Sequence, residues 1–264
     1  MKIKVIRNFQ KDKDSKVTDK LIKILKDRNI EVDVSDERIE NGTDFVIVLG
    51  GDGTILGAAC ECAEMEIPVM GINLGRVGFM TETDTDGMEK AVDSLISGEY
   101  KIENRMMMEI SVSSEAGDRK YMALNDLVVS KPDSEMIRVG IFSEEEEITE
   151  YISDGVIIST PTGSTGYSLS AGGPVADPST EMFLVTPICA HTLRARPSVL
   201  SPEKEVSVEL FFGANPVASV MIDGKLKEKI EEGDRVRIRK SDKKLKLIKF
   251  GKQSFYDRLT AKLV

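Results

Sequence analysis

Asp52 stands inside a glycine turn, Gly50-Gly51-Asp52-Gly53-Thr54, between β-formers ending at Leu49 and a stretch with helical character. A strand–turn–helix presents unpaired N–H groups at the helix start, and these attract phosphate. A carboxylate there repels phosphate unless it has a task beside one. Two tasks fit: holding Mg²⁺, or orienting and deprotonating a hydroxyl that attacks the phosphate. The turn is neither a P-loop nor a dinucleotide fingerprint, since it lacks the Lys-Ser/Thr pair and the G-x-G-x-x-G spacing. The plainer alternative makes Asp52 a helix N-cap. A cap needs one good residue and leaves the three glycines unexplained, whereas glycine permits close approach of backbone to a ligand and Thr54 adds a hydroxyl.

A second stretch, Ser153 to Pro174, is rich in groups that bind rather than react. A strand over Val156–Ser159 runs into Thr160, Thr162, Gly163, Ser164 and Thr165, then Tyr167, Ser168, Ser170 and Gly172-Gly173-Pro174. Hydroxyls and backbone N–H groups can satisfy the acceptors of a nucleotide, and Tyr167 can stack on a base. Gly, Ser and Thr also populate ordinary surface loops. The apolar strand directly before the loop, with Asp154 at its head, favours a site.

These residues need a scaffold. Strand patterns over "IKVIRN", "IEVDVS", "DFVIVLG" and "IPVMGINLG" alternate with helical ones over Ser15–Arg28, Gly53–Met65 and Asp86–Ser97. Val17, Leu21, Ile24 and Leu25 share one helical stripe. Such alternation implies a Rossmann-like α/β domain with a mostly parallel sheet, whose ligands bind at the carboxyl ends of strands. After Gly98 the pattern changes to short runs, "MMMEISVS", "KYMALNDLVVS", "IRVGIFS", "EVSVELFF", "VASVMIDG", "DRVRIRK" and "KLKLIKF", which imply an all-β, sandwich-like second domain. The expected division is an α/β domain over 1–98, a β-sandwich over 99–249, and a C-terminal segment, 250–264, that returns to the first domain with a short helix from Ser254 to Leu263.

Three conspicuous clusters have plain explanations. Glu144–Glu147 is a solvated hairpin tip, Arg105–Met108 is core filling, and Asp223-Gly224 is a hairpin turn signal. Cys60 and Cys62 point to different faces of a helix, Cys189 is far away in sequence, and one histidine cannot complete a zinc shell. Small buried hydrophobes in a reducing compartment is the reading for all three. Lys+Arg 36 against Asp+Glu 45 gives a net charge of −9, which argues against nucleic-acid or anionic-membrane surfaces. No apolar run approaches the roughly 20 residues of a membrane helix, and "MKIKVIRNFQKDKD" turns polar too early for a signal peptide. A cytoplasmic location is expected.

Taken together, these motifs resemble those of the NAD kinases, which phosphorylate the adenosine 2′-hydroxyl of NAD to give NADP. Gly50–Thr54 resembles the family's GGDGT, and Gly71–Met80 is similar to its next segment. Asn125-Asp126 corresponds to an Asn-Glu pair, Asp154–Pro174 is similar to DG…TPTGSTAYSLSAGGP, and Thr186–Leu193 to TPICPHSL. GGDGT is shared with diacylglycerol, sphingosine and phosphofructokinases; the Asp154–Pro174 segment is far more specific. The resemblance implies that Asp52 is the general base, with Gly53 at the same ribose. It implies that Asn125 and Asp126 hold ribose hydroxyls, and that Asp154 recognises the nicotinamide end. Thr162, Thr165, Gly166, Tyr167, Ser168, Leu169 and Ser170 would line the adenine and ribose. Gly50, Gly51, Gly53 and Thr54 would serve the ATP phosphates, escorted by Mg²⁺ or another divalent cation. It also implies homodimers or homotetramers, and ATP or polyphosphate as donor. Asp126 replaces a Glu, Gly166 an Ala and Ala190 a Pro; His191 is read as structural.

Two other functions use parts of the same pattern. GGDGT alone would suit a lipid kinase, although no membrane-seeking helix or acyl pocket is evident. A non-catalytic NAD(P)-sensing module would bind dinucleotide without consuming ATP.

Overall fold

The computed structural model describes residues 1–35, 37–75, 78–114, 117–192, 195–211, 217–251 and 254–263, the last by its backbone. Arg76-Val77 of the Gly71–Met80 segment, Leu193 of the Thr186 segment and Phe212 of the "EVSVELFF" run lie outside the described residues. Two compact units are present, one of residues Met1–Arg105 and Lys243–Val264, the other of Met106–Asp242.

In the first unit, β1 (Lys2–Arg7), α1 (Lys16–Lys26), β2 (Glu31–Asp33), β3 (Phe45–Gly50), α2 (Asp52–Glu64), β4 (Val69–Asn73), β5 (Thr83–Asp84) and α3 (Met88–Ser97) follow in order. β1 pairs in parallel with β2 and β3, and β4 in parallel with β3 and β5. Leu21, Ile24 and Leu25 of α1 form a buried stripe at helical spacing. They join Met88, Ala91, Val92 and Leu95 of α3 over Ile3, Val5, Ile47, Leu49, Met70 and Ile72 of the sheet. Val46 and Val48 alternate to the other face, and α2 packs on the sheet through Ile55, Ala58, Ala59, Cys62 and Ala63. Burial on both faces explains the unbroken apolar run of β3. The carboxyl ends of β3 and β4 lie side by side, with Gly50 opposite Asn73.

The second unit is a sandwich of antiparallel sheets. Its strands are β6 (Lys101–Ser114), β7 (Gly117–Ala123), β8 (Asp126–Ser130), β9 (Ile137–Ser143), β10 (Glu146–Ser153), β11 (Gly155–Ser159), β12 (Phe183–Ile188), β13 (Ser198–Leu200), β14 (Val206–Leu210), β15 (Val217–Ile222), β16 (Lys225–Glu231) and β17 (Arg235–Lys249). One sheet has the order β13-β12-β11-β8-β15-β16; against it lie β10-β9-β14-β17 and the β6-β7 pair. Alternate residues fill the space between, among them Met106, Met108, Leu127, Val129, Val156, Ile158, Val206, Val220 and Ile238. Val128, Ile157 and Ile188 point outward and are covered by Ala171 and Met221. A short helix, α4 (Tyr167–Ser170), follows β11, and α5 (Phe255–Leu263) ends the described chain within the first unit.

Several elements differ from expectation. "KYMALNDLVVS" is two strands broken at Leu124-Asn125, because Asp223 draws the N–H groups there out of the ladder. "DRVRIRK" and "KLKLIKF" are one strand, β17, uninterrupted by Ser241-Asp242. The units therefore divide inside strands, after Arg105 and after Asp242, where the sequence suggested Gly98 and residue 249. β12 and β13 were not anticipated, Pro187 having masked β12, whereas β10 and β16 are the second strands of the hairpins expected at Glu144–Glu147 and Asp223-Gly224, their charged faces having hidden their extent. Cys62 is buried, and burial pushes its thiol up to about 12. Cys60 is half-buried and Cys189 exposed, so the uniform core reading fails for these two. His191 is exposed, and its backbone N–H donates to Ile152 O at 2.8 Å.

Candidate active site

Asp52 is the first residue of α2, and Gly51, not Asp52, occupies the cap position without any side-chain cap bond. The capping alternative is thereby replaced. The Asp52 carboxylate accepts the Phe79 N–H at 2.8 Å and the Met80 N–H at 3.0 Å. A Cβ at Gly78 would stand 2.0 Å from Asp52 Oδ1, so only glycine lets the carboxylate lie flat against that backbone. Gly50 is required for another reason: a Cβ there would meet Thr54 Oγ1 at 2.2 Å. Asn8 Nδ2 donates to the same hydroxyl at 3.3 Å. Around Gly53 the space is open.

Two side chains that the sequence did not mark converge on the turn. Lys11 Nζ lies 3.6 Å from where a Cβ on Gly51 would stand, and 3.8 Å from the corresponding point on Gly75. Asn73 Oδ1 lies 3.9 Å from the Gly51 point. Asn73 is buried, yet neither polar atom of its amide has a hydrogen-bond partner among the described residues. Leaving such an amide unsatisfied costs about 1–3 kcal/mol, which a ligand accepting from it would recover. A cavity of about 880 Å³ opens here, lined by Asn8, Lys11, Gly51, Gly53 and Thr54 and extending to Phe9 and Val34. Asn73 sits in the Gly71–Met80 segment already singled out. Lys11 gives no signal, being one of several lysines in a polar stretch.

In the sandwich unit, Asp223 governs the geometry. It takes the left-handed conformation at φ 48°, followed by Gly224 at φ 72°, in the two-residue turn between β15 and β16. Its carboxylate accepts the N–H groups of Leu124, Asn125 and Asp126 at 2.9, 2.8 and 3.1 Å. The turn signal at Ile222–Lys225 thus carries a second task that spacing alone did not reveal. From the other side, Thr160 Oγ1 donates to Leu124 O, and Thr160 N–H to Asn125 O at 2.9 Å. Asn125 Nδ2 and Asp126 Oδ2 both lie 3.8 Å from the Cβ position of Gly166, so these three residues share one spot. Asn125 Oδ1 is buried without a hydrogen-bond partner among the described residues. Burial, with the Asp223 charge adding to it, pushes Asp126 up to about 7.

The hydroxyl-rich loop divides into inward and outward groups. Ser164 donates to Pro161 O and accepts the Ala176 N–H, while buried Ser168 bonds Thr186 Oγ1 at 2.9 Å. These two hold the loop's shape. Thr162 is buried in a 3₁₀ turn, Thr165 and Leu169 are half-buried, and Tyr167 and Ser170 are exposed. Asp154 is not gathered with them. It pairs with Lys131 at 2.7 Å at one end of β11, whereas Asp126 lies opposite Ser159 at the other end. Five residues of strand at ~3.4 Å each put about 17 Å between them.

An acid fixed by two amides beside an open helix start, with a lysine and an unsatisfied amide aimed at the same turn, defines a phosphotransferase site. The amide-and-hydroxyl loop of the sandwich suits a nucleoside. Sequence comparison makes the class specific: residues 3–100 match the ATP-NAD kinase N-terminal domain and residues 124–250 the ATP-NAD kinase C-terminal domain. The NAD kinase of Caldanaerobacter subterraneus subsp. tengcongensis is 38% identical over 279 residues, covering 99% of this chain and 98% of that protein. The NAD kinase of Caldicellulosiruptor saccharolyticus is 36% identical over 265 residues, covering 100% and 99%. Among solved structures, an NAD kinase from Archaeoglobus fulgidus in complex with ATP aligns with TM-score 0.76 and 27% identity over 99% of this chain and 98% of its own. Yeast NADH kinase complexed with NADH shares the fold at TM-score 0.86 and 23% identity, over 98% of this chain and 85% of its own. The chain belongs to the NAD kinase family, and its function is that of an NAD kinase.

Among the described residues no group of three or more His, Cys, Asp or Glu could hold a metal ion. Such a group is not a requirement for Mg²⁺ in general, which is commonly held by substrate phosphates and one or two carboxylates while keeping several waters. No helix among the described residues is long and apolar enough to cross a membrane.

Proposed function

We propose that Asp52 accepts the proton of the adenosine 2′-hydroxyl of NAD as that oxygen attacks the γ-phosphorus of ATP. The new bond forms between the 2′-oxygen and phosphorus, the β–γ bridging P–O bond breaks, and ADP leaves. The observation that carries this reading is the Asp52 carboxylate, held at 2.8 and 3.0 Å by Phe79 and Met80 N–H next to the open Gly53. A ribose hydroxyl does not ionise at neutral pH, and a positioned base is worth about 10²–10⁴-fold. Gly50, Gly51, Gly53 and Thr54 serve the phosphates, joined by Lys11 and Asn73. Bound Mg²⁺, or another divalent cation, supplies charge neutralisation on the triphosphate. Asn125 and Asp126 hold ribose hydroxyls, and Thr162, Thr165, Gly166, Tyr167, Ser168, Leu169 and Ser170 form the nucleoside-binding loop. In that loop Ser168 acts through its bond to Thr186, as a support.

Pure protein with ATP, Mg²⁺ and NAD should form NADP, detected with an NADP-specific dehydrogenase. Asp52→Asn should lose most turnover and keep NAD binding; full turnover in that variant would refute the base assignment. Polyphosphate in place of ATP and NADH in place of NAD, run in the same assay, set the donor and acceptor range. A cytoplasmic homo-oligomer is the accompanying proposal. The separation of Asp154 from Asp126 along β11 makes the oligomer testable. If Asp154 serves a dinucleotide held by a neighbouring copy, mixing inactive Asp52→Asn and Asp154→Asn chains restores activity. Failure to complement restricts Asp154 to its own chain.

A further inference from the structure

One of the two amides that hold Asp52, that of Met80, is itself held from behind by the C-terminal helix. Arg258 of α5 is buried, and its guanidinium donates to the carbonyls of Phe79, at 3.1 Å, and Thr81. The peptide unit joining Phe79 to Met80 therefore has both ends occupied. Its C=O accepts from Arg258, and its N–H donates to Asp52 Oδ1 at 3.0 Å. A peptide unit is planar, so fixing the direction of the carbonyl fixes the direction of the amide. A cation on the carbonyl also polarises the unit and strengthens the bond its N–H makes.

The rest of the segment is anchored as firmly. Arg258 pairs with Glu82 at 3.0 Å, and Glu82 also takes Lys249 Nζ at 3.2 Å and the Phe250 N–H at 2.9 Å. The Glu82 N–H donates to Gly71 O at 2.8 Å, which ties the segment to β4. Gly78 N–H donates to Thr81 Oγ1 at 2.8 Å, closing the turn whose inner face meets Asp52. α5 also touches the Phe79 side chain, with the Phe255 ring at 5.8 Å and Lys262 Nζ 4.2 Å above the Phe79 ring.

We infer that Arg258 is a positioning residue for Asp52, aiming the Met80 amide at the carboxylate through the Phe79 carbonyl. The inference rests on Asp52 being the base and extends that role to the C-terminal helix. Arg258→Met removes every donor while keeping an unbranched stem, and Arg258→Lys keeps the charge. A purely structural role would lower active-enzyme concentration without regard to Asp52. A positioning role lowers kcat through Asp52 and spares the substrate contacts.

The experiment measures kcat, both KM values and the melting temperature for Arg258→Met and Arg258→Lys. The same substitutions are also made in the Asp52→Asn background. The expected result is a kcat loss of about 10–10²-fold for Arg258→Met with both KM values within about twofold, and partial recovery in Arg258→Lys. In the Asp52→Asn background the same substitution should change the residual rate by less than about twofold. If loss of the Arg258 cation unfolds the methionine variant, Arg258→Lys, which keeps a charge beside Glu82, carries the test, with a smaller kcat loss in the wild-type background and a change of less than about twofold in the Asp52→Asn background. Equal loss in both backgrounds, or wild-type kcat in Arg258→Met, overturns the inference. Full turnover in Asp52→Asn alone overturns the base assignment instead, so the two failures are told apart.

Discussion

Asp126 is a buried carboxyl group at the start of β8, and half-buried Asp223, in the turn that follows the neighbouring strand β15, accepts its backbone N–H at 3.1 Å. Three amides satisfy Asp223, whereas burial and the nearby Asp223 charge hold Asp126 up to about 7 from its ordinary 3.8. Between those two values the folded chain binds more protons at Asp126 than the unfolded chain does. Its contribution is therefore unpenalised below about pH 4 and is progressively lost as pH rises to about 7. Asp126→Asn should then stabilise the protein at pH 8, by at most about 4 kcal/mol, and change little at pH 4. Urea melts of both proteins at the two pH values check this. On the role proposed for Asp126 at a ribose hydroxyl, the stabilisation should come with weaker NAD binding.

Gly78→Ala sets a methyl where the Asp52 carboxylate now lies, 2.0 Å from Oδ1. Displacement of the base should lower kcat by about 10²-fold or more, approaching Asp52→Asn, since small misplacements of reacting groups are costly. Circular dichroism and the melting temperature should stay near wild type. Steady-state kinetics with NADP detection reads the effect. Retained kcat would mean that the carboxylate tolerates another position.

Lys11 and Asn73 lie beside Gly51, in the turn proposed above to serve the ATP phosphates, so their loss should be felt by the donor. Lys11→Met should raise KM for ATP by about tenfold, the scale of one charge-assisted hydrogen bond, and leave KM for NAD within about twofold. Varying each substrate at saturation of the other separates the two. A matching rise for NAD would place Lys11 on the acceptor instead.

The parallel sheet of the first unit was legible because β1, β3 and β4 are apolar on both faces and α1 and α3 carry clean stripes. The turn that bears Asp52 was legible because glycines cluster where backbone crowds a side chain, as Gly50 does against Thr54. What surrounds Asp52 was not. Its amide partners lie 27 and 28 residues on, and Arg258 lies a further 178 residues from Met80, in a stretch that reads as an amphipathic helix returning to the first domain but carries no sign of which carbonyls its arginine meets. Asp223 shows the same limit: an Asp-Gly pair explains a turn completely, and nothing local says that its carboxylate serves residues 97 to 99 positions earlier. Asp154 was grouped with the loop by adjacency in sequence, but a strand separates its two ends in space.

The first unit is built from Met1–Arg105 together with Lys243–Val264, and the sandwich unit lies between them in the chain. On a ribosome adding roughly 5–20 residues per second, the intervening segment delays the returning strand and helix by on the order of 10 s. During that interval the nascent chain carries Asp52 and its glycine turn but lacks the arginine inferred above to fix the Met80 amide facing it. A chain halted by a premature stop codon anywhere before Arg258 would share that deficit permanently. The enzyme is thereby assembled out of translational order, with its earliest catalytic motif completed by one of its latest side chains.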